Sequence, residues 1–494
     1  MANFANAFRH ASHLTETENG ALALNTTGSK LVDFFATIGA LRNADKTRIE
    51  RLFADAYAED PLLATKIIFY ARDIRGGLGE REVFRFLIEY AAKHHPECIK
   101  PNLEFISLYG RWDDIYSLVD TPVEDDMWEM VKIQLNADIL HMVNKEPVSL
   151  LAKWLKTADA SSKNTRMLGI YTAKKLGYKV YHYKRIVRNL RKYIKVTESL
   201  MSTQQWDKID YSAVPSKAML NYRNAFSKHD EARFQEYLVK LSAGESKINA
   251  STLYPYDLIE KYLRFGLWDT ASLTQMDPVV EAQWNALPDY VNDDVNAIVM
   301  ADTSGSMKGS NGRPMCTSIG LALYFAEHNK GAYHNLWMSF SSQPNIHEVK
   351  GETLYQKLAS MDREDWGQST NIMAAFMLIL AVALQAKAKP EEMPKALIII
   401  SDMEFDQANR GKFIYDDLRD IYHEHGYEVP NIIFWNVNSR NDTYHVNSDI
   451  PNTQCFSGQS ASTFKNVIAN IGKTPYEAML NVINSDRYSP IRVD

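Results

Sequence analysis

The chain has 494 residues, of which 45% are hydrophobic and 23% charged, a composition that indicates a soluble globular protein and excludes a disordered one. At about 100–200 residues per domain, this length predicts two to four domains. No apolar run reaches the roughly 18 residues that a membrane span needs, and the N-terminal residues lack the pattern of a signal peptide. Cys98, Cys316 and Cys455 are too few and too far apart for a disulfide framework, which predicts a reducing, cytoplasmic location.

The net charge of −6 conceals a strongly basic part of the chain. Residues 153–195, called here the basic segment, contain 13 lysines and arginines and one acidic residue, Asp159. Their net charge is therefore +12, whereas the rest of the chain carries −18. Such a local excess predicts an anionic partner, although most charge runs are only solvated faces.

From Leu31 to about Phe265 the apolar residues recur at helical spacing, and short breaks rich in Gly, Pro or Asn separate the segments. No run alternates convincingly with a period of two, so this half is predicted to be an all-α region of paired helices and a candidate solenoid. The predicted helices are 62–72, 80–93, 127–143, 165–176, 184–195, 231–243 and 255–267.

After residue 296 the pattern changes to short apolar runs that alternate with helical segments. The runs are 297–301, 336–340, 396–400 and 431–437, and the helices are 318–329, 372–387, 412–424 and 462–471. Continuous apolar strands separated by helices predict a doubly wound, mostly parallel sheet covered on both faces, with its ligand site at the carboxyl ends of the strands. The predicted units are an N-terminal extension (1–29), a helical domain (30–290), an α/β domain (295–475) and a C-terminal tail (476–494), with the boundary in the acidic linker 290–294.

Polar side chains follow the predicted strands of the α/β domain in three loops. They are Asp302, Ser304 and Ser306 after the first strand, Thr370 at the start of a helix, and Asp402 after the strand 396–400. Hydroxyl and carboxylate oxygens suit Mg²⁺ or Mn²⁺ and do not suit zinc, which prefers His or Cys. Because Ser and Asp after a strand are also common helix N-caps, the alternative is a purely structural role.

This three-loop pattern resembles the metal-ion-dependent adhesion site of von Willebrand factor A domains, and every position of that motif is present. The resemblance implies that Ser304, Ser306 and Thr370 contact the ion, while Asp302 and Asp402 act directly or through water. Because few carboxylates would bind it directly, the ion is expected to stay electrophilic, so it can bind an outside acidic group, such as one offered by a protein partner, or keep waters.

Within the basic segment, residues 184–195 form a predicted amphipathic helix. Ile186, Val187, Leu190, Tyr193 and Ile194 lie on one face, and the basic residues, Arg191 included, lie on the other. Interleaved tyrosines and the absence of a helix-turn-helix or zinc motif favour RNA over a specific DNA site. The candidate RNA-binding residues are Lys163, Arg166, Lys174, Lys175, Lys184, Arg185, Arg188, Arg191, Lys192 and Lys195.

Longer motifs extend the resemblance to about residues 30–475. They are FYARDIRGGLGER at 69–81, YGRWDD at 109–114, AKWL at 152–155, the segment 201–209 with Trp206 and Asp207, VPSKAM at 214–219, LYPY at 253–256, SDMEFD at 401–406 and VPNIIFWN at 429–436. Together they are similar to the family that joins TROVE-type helical repeats, known from the Ro autoantigens, to a von Willebrand A domain. The resemblance implies a ring of HEAT-like repeats closed through the A domain. In Ro proteins the cavity of the ring binds single-stranded RNA ends, and the basic outer surface binds small structured RNAs.

Three functions follow from these patterns. The first is a non-catalytic, RNA-binding ribonucleoprotein scaffold with a metal site in its A domain. The second is a metal-dependent protein-assembly module without RNA, in which the basic segment docks an acidic protein. The third and weakest is a metal-dependent nuclease, because one hydroxyl-rich site without a second metal or an evident general base favours ligand binding over hydrolysis.

Overall fold

The computed structural model describes residues 13–265, 271–273, 275–291, 295–340, 344–361, 371–406 and 414–494. In this part of the chain, helices make up most of the first half and a six-stranded sheet with flanking helices makes up the second. The predicted fold class, a helical region followed by a mostly parallel α/β domain, is therefore confirmed.

The helical half contains short two-stranded sheets as well as helices. Its strands are β1 (Leu14–Glu16), β2 (Leu22–Leu24), β3 (Leu263–Phe265) and β4 (Ala271–Leu273). Its helices are α1 (Lys30–Thr37), α2 (Lys46–Glu59), α3 (Pro61–Arg72), α4 (Glu82–His94), α5 (Pro96–Ile99), α6 (Phe105–Tyr109), α7 (Glu124–Asn144), α8 (Leu151–Trp154), α9 (Lys163–Lys175), α10 (Val180–Tyr193), α11 (Thr197–Ser202), α12 (Ser216–His229), α13 (Glu231–Ser242), α14 (Pro255–Tyr262) and α15 (Pro278–Asn285).

Local chemistry sets the ends of these helices. At α3 the carboxylate of Asp60 accepts the backbone N–H of Leu63 at 2.9 Å, and Pro61 occupies the first turn, where its missing N–H costs nothing. The prediction of a helix over 255–267 is wrong at its end. Helix α14 stops at Tyr262 and the chain continues as β3, which pairs antiparallel with β4. Strands of three residues are too short to produce a recognisable alternation in the sequence.

The α/β half is built on one sheet of order β10-β9-β8-β5-β6-β7, in which only the edge strand β7 is antiparallel to its neighbour among the pairings described. Sequence patterns predicted four of these strands; they did not predict the short β7 or β10. The strands are β5 (Ala297–Asp302), β6 (Leu336–Phe340), β7 (Ile346–Glu348), β8 (Ala396–Ser401), β9 (Asn431–Asn436) and β10 (Thr453–Ser457). The helices are α16 (Gly309–His328), α17 (Leu354–Met361), α18 (Ile372–Ala386), α19 (Ile414–Glu424), α20 (Thr463–Ala469) and α21 (Pro475–Ile483).

Successive residues of the central strands belong to two different cores. In β5, Val299 packs into the core that includes α16, while Ile298 and Met300 pack with Phe376 and Ile379 of α18. Burial on both faces explains why these strands are continuous apolar runs in the sequence.

The core on the α16 side of the sheet continues into the helical half, so the two halves share one apolar interior. Helix α1 lies against β10. Just after both elements, a Cβ added to Gly39 would be 2.6 Å from the Cα of Gly458, so the two backbones meet closely there. At the other end of the helical half, α14 packs against α16, and Gly320 allows the close approach of Pro255. Both ends of the helical half therefore contact the α/β half.

The residues outside the two predicted domains also pack into this assembly. Helix α21 lies against α1 and α3. Near it, the buried carboxylate of Asp73 accepts hydrogen bonds from the Tyr488 hydroxyl at 2.9 Å and from the Arg487 guanidinium. The C-terminal residues thus hold the first helices against the sheet.

The first helices, the last helices of the helical half and the sheet domain meet at one closed junction. The cavity that remains at this junction has a volume of only about 10 Å³. It is lined by Ile74, Tyr254, Tyr290, Tyr324 and Ser462, among others. A single water molecule needs roughly 10–15 Å³, so no nucleotide fits at this junction.

None of the helices in the described ranges is long and apolar enough to cross a membrane.

Candidate metal centre and basic surface

The candidate metal centre lies where the order of the strands reverses, between the central strands β5 and β8. Their parallel register places Ala301 beside Ile400, so both strands end at the same edge of the sheet. Asp302 is the last residue of β5 and Asp402 follows β8 directly. This is the place where doubly wound sheets bind their ligands.

Asp302 is completely buried and its two carboxylate oxygens have different partners. Oδ1 accepts the backbone N–H of Ser304 at 2.8 Å, and Oδ2 accepts the hydroxyl of Ser401 at 2.6 Å. Burial, together with the nearby negative charge of Asp402, raises the pKa of Asp302 above its ordinary value. A cation placed between the two carboxylates would relieve both effects.

The hydroxyls of the first loop face each other and do not cap a helix. The Oγ atoms of Ser304 and Ser306 are 3.0 Å apart, and the Ser304 side chain makes no capping hydrogen bond to the turn that follows. The hydroxyl of Thr303, in the same loop, is buried and has no hydrogen-bond partner among the residues that the structure describes. The geometry therefore does not support the alternative that Ser304 serves only as a helix N-cap.

Asp402 has a positively charged neighbour that sequence reasoning missed. Nη2 of Arg440 lies 3.0 Å from Oδ2 of Asp402, and Oδ1 accepts the backbone N–H of Glu404 at 3.3 Å. Arg440 also pairs with Glu18, with Nη1 and Oε2 2.6 Å apart. Arg440 follows β9 and is 38 residues from Asp402 in sequence, so no local motif connects the two.

The N-terminal β1–β2 hairpin lies beside this centre. The Thr17 hydroxyl donates to the carbonyl of Phe405 at 2.6 Å, and the backbone N–H of Glu18 donates to the carboxylate of Glu404 at 2.8 Å. Burial raises the pKa of Glu404. Residues predicted to be only an N-terminal extension thus form part of the wall of the candidate centre.

The structure brings together four of the five residues predicted to hold the metal, namely Asp302, Ser304, Ser306 and Asp402; Thr370 lies outside the described residues. Within the described ranges no group of three or more His, Cys, Asp or Glu could hold a metal ion. Two buried carboxylates with hydroxyls fit Mg²⁺ or Mn²⁺, because these ions accept few protein oxygens and keep several water ligands.

The basic segment forms α8, α9, α10 and the loops between them, and some of its cations are neutralised within the fold. Nζ of Lys175 lies 2.9 Å from a carboxylate oxygen of Asp125, which belongs to α7. Nζ of Lys184 lies 2.8 Å from Asp159, the single acidic residue of the segment.

Two arginines of the segment bind backbone carbonyl groups. Arg166 donates to the carbonyl of Ala160 at 2.9 Å. Arg191 donates from Nε to the carbonyl of Ala152 at 2.7 Å and from Nη2 to the carbonyl of Leu155 at 2.7 Å. Because these partners carry no charge, burial lowers the pKa of Arg191. The expectation that Arg191 lies with the other basic residues on the outer face is therefore wrong; its side chain turns inward to hold α8 and the following loop.

The other six candidates are exposed side chains with no ion pair in the part of the chain that the structure describes: Lys163, Lys174, Arg185, Arg188, Lys192 and Lys195. On α10 the exposed cations stand opposite the buried side chains of Val187 and Leu190, as the amphipathic pattern predicted. The ring of Tyr181 is 70% exposed, and the guanidinium carbon of Arg185 lies 5.9 Å from its centre.

Comparisons with known proteins give two family matches that together span most of the chain. The model of a domain of unknown function, DUF2828, matches residues 17–167 and 148–295, and that of a second domain of unknown function, DUF7788, matches residues 296–486. The uncharacterized protein L728 of Acanthamoeba polyphaga mimivirus is 30% identical over 526 aligned positions, which cover 98% of this chain and 89% of that protein.

A crystal structure of the Deinococcus radiodurans Ro (RSR) protein aligns with 94% of this chain and 100% of its own, at 13% identity and a TM-score of 0.37. A similarity of this size establishes neither a common fold nor a common function.

Proposed function

The chain belongs to the family of the domain of unknown function DUF2828, and from its surface charges we propose that it is a non-catalytic RNA-binding scaffold. The observation that carries the proposal is the set of exposed cations on and just after α9 and α10 that have no ion pair among the described residues. Like charges on neighbouring helical turns repel one another. Binding of phosphates relieves this repulsion and releases the counterions of the nucleic acid, and both effects lower the free energy of the complex. The cytoplasm is the proposed location.

RNA is the nucleic acid that this surface suits best. The exposed Tyr181 beside Arg185 offers an aromatic face next to a cation, which is how proteins hold unstacked bases of single strands. The resemblance to TROVE-type repeats adds independent support. An acidic protein is the alternative partner, and it would use the charges without needing an exposed aromatic ring.

The decisive experiment reverses four exposed cations, Arg185, Arg188, Lys192 and Lys195, to Glu. The affinity for single-stranded RNA should fall at least tenfold, about 1.4 kcal/mol. The slope of log K against log salt, about −0.7 for each phosphate contacted, should flatten because fewer counterions are released. Fluorescence anisotropy at several salt concentrations measures both quantities.

A matched control reverses Lys228, Lys247, Lys350 and Lys465, which are exposed and lie outside the basic segment. Both variants change the net charge equally, so a loss confined to the first assigns RNA binding to residues 185–195 of the basic segment. Unchanged affinity and slope in the first variant would refute the proposal and favour the protein-assembly module.

We propose further that the centre at Asp302 and Asp402 binds one Mg²⁺ or Mn²⁺. Asp302, Ser304, Ser306 and Asp402 would hold it, and Thr370 completes the motif in sequence. When bound, the ion would offer a coordination position to an acidic group of a protein partner. The support is the pair of buried carboxylates beside two facing hydroxyls at the switch point of the sheet.

Thermal unfolding in EDTA and in millimolar Mg²⁺ tests the metal proposal, since a ligand at a hundred times its Kd stabilises by about 2.7 kcal/mol. The metal-dependent rise in Tm should disappear in Asp302→Ala. It should shrink in Ser306→Ala, which removes a half-buried hydroxyl and spares the fold, and persist in Asp420→Ala, whose carboxylate is exposed on α19. If wild-type protein melts identically in both buffers, the metal proposal fails.

A further inference from the structure

A groove opens between α10 and the loop of residues 157–160 of the basic segment and the helix α11 that follows the segment. Its volume is about 450 Å³. Pockets for small ligands have volumes of about 300–1,000 Å³, so the groove is large enough for one nucleotide and too small for a folded domain.

The groove combines an apolar wall with hydroxyl groups. Val187 and Ala158 are buried and Leu200 is half-buried along one side, while Ser199 and Thr203 lie along α11 and its end. An apolar wall suits the flat face of a base, and the Ser199 hydroxyl can donate to or accept from its polar edge. The Thr203 hydroxyl already donates to the carbonyl of Ser199 at 2.8 Å, so toward a base it can act only as an acceptor.

The charge of the groove is almost entirely positive. Five of its lining residues are cations, namely Lys184, Arg188, Arg191, Lys192 and Lys195, and one is a carboxylate, Asp159. Asp159 is already paired with Lys184 at 2.8 Å, so it does not oppose an incoming anion with its full charge. The groove therefore attracts a ligand with at least one negative charge.

Arg191 gives this charge a fixed position. Its Nε and Nη2 are held by carbonyl groups of residues 152–155, and its Nη1 makes no hydrogen bond among the described residues. Arg191 lines the groove. Because backbone carbonyls already hold its guanidinium and no carboxylate is bonded to it, it can bind an oxyanion with little further loss of side-chain entropy.

We propose that this groove binds a single nucleotide, with the base against the wall of Val187 and Leu200 and the phosphate at Arg188, Arg191 and Lys192. The inference rests on the proposed RNA binding and deepens it, because it names the part of the RNA that is recognised: one unstacked nucleotide with its phosphate. A free nucleoside monophosphate has the same chemistry, so the experiment separates the two sources.

The experiment compares single-stranded RNA with an abasic strand of equal length, which keeps the phosphates and lacks the bases. Wild-type protein should bind the RNA at least fivefold more tightly than the abasic strand at the same salt concentration. In Leu200→Trp, which fills the groove without changing charge, this preference should disappear while the salt slope stays unchanged. Ile170→Trp places the same ring in the basic segment outside the groove, on α9, and should keep the preference.

Titration with AMP tests the groove without RNA. Wild-type protein should bind AMP, and Leu200→Trp should not. Asp159→Asn leaves the core intact because Asp159 is exposed, and it should bind AMP at least threefold more tightly, since Lys184 is released. This gain does not depend on how well Leu200→Trp folds.

The outcomes separate this inference from the proposed function. If the protein binds RNA and the abasic strand equally tightly and does not bind AMP, the nucleotide site in the groove is refuted and the proposed RNA binding stands. If the protein binds AMP but neither strand, the groove is a site for a free nucleotide. That result would refute the proposed RNA-binding scaffold. Equal competition by a polyglutamate peptide and AMP for the groove would overturn nucleotide recognition.

Discussion

Replacing Arg191 with Ala removes hydrogen bonds to the carbonyls of Ala152, Lys153 and Leu155, at 2.7, 3.2 and 2.7 Å. Hydrogen bonds to charged groups contribute about 1.5–3 kcal/mol each and are not additive within one side chain. We therefore expect the free energy of unfolding to fall by about 2–4 kcal/mol. The neighbouring Arg188 is exposed and makes no side-chain hydrogen bond among the described residues, so Arg188→Ala should change it by less than about 0.5 kcal/mol.

Urea unfolding of the two variants measures this difference, and hydrogen exchange shows where it arises. Amide exchange in residues 151–155 should become faster in Arg191→Ala and stay at the wild-type rate in Arg188→Ala, because only Arg191 holds that segment. RNA affinity per folded molecule should fall in Arg188→Ala. Equal stability of the two variants would refute the assignment of Arg191 to the fold.

Two further predictions concern the α/β half. Arg440→Ala removes the guanidinium that neutralises Asp402, so the affinity for Mg²⁺ measured by calorimetry should rise about tenfold, or about 1.4 kcal/mol; equal or weaker binding would contradict competition between Arg440 and the metal. Burial lowers the pKa of His445 from 6.5 to about 4, so between these values only the unfolded state takes up a proton and the free energy of unfolding falls as the pH falls. The loss should reach at most about 3.4 kcal/mol and should shrink in His445→Gln, whereas an identical pH dependence of both proteins would exclude His445 as its source.

The strand ends of the α/β half could be predicted from sequence because their rule is topological. Apolar runs alternating with helices require a parallel sheet, and parallel strands end at one edge. This rule alone was enough to predict that Asp302 and Asp402 lie close together. Arg440 and Glu18 could not be predicted there, because they reach the site through a loop after β9 and through the N-terminal hairpin, whose three-residue strands leave no periodic signal.

The basic segment divides in the same way. Its excess of positive charge and the amphipathic pattern of α10 are properties of the sequence alone, because composition and helical periodicity are local. Which cations remain free is decided only by the tertiary structure. Lys175 is neutralised by an aspartate of α7, and Arg191 is turned inward by the carbonyl groups of residues 152–155. A charge is neutralised by groups that come close to it only when the helices pack. The sequence therefore determined how much charge the segment carries, and the packing decided which of these charges can contact a ligand.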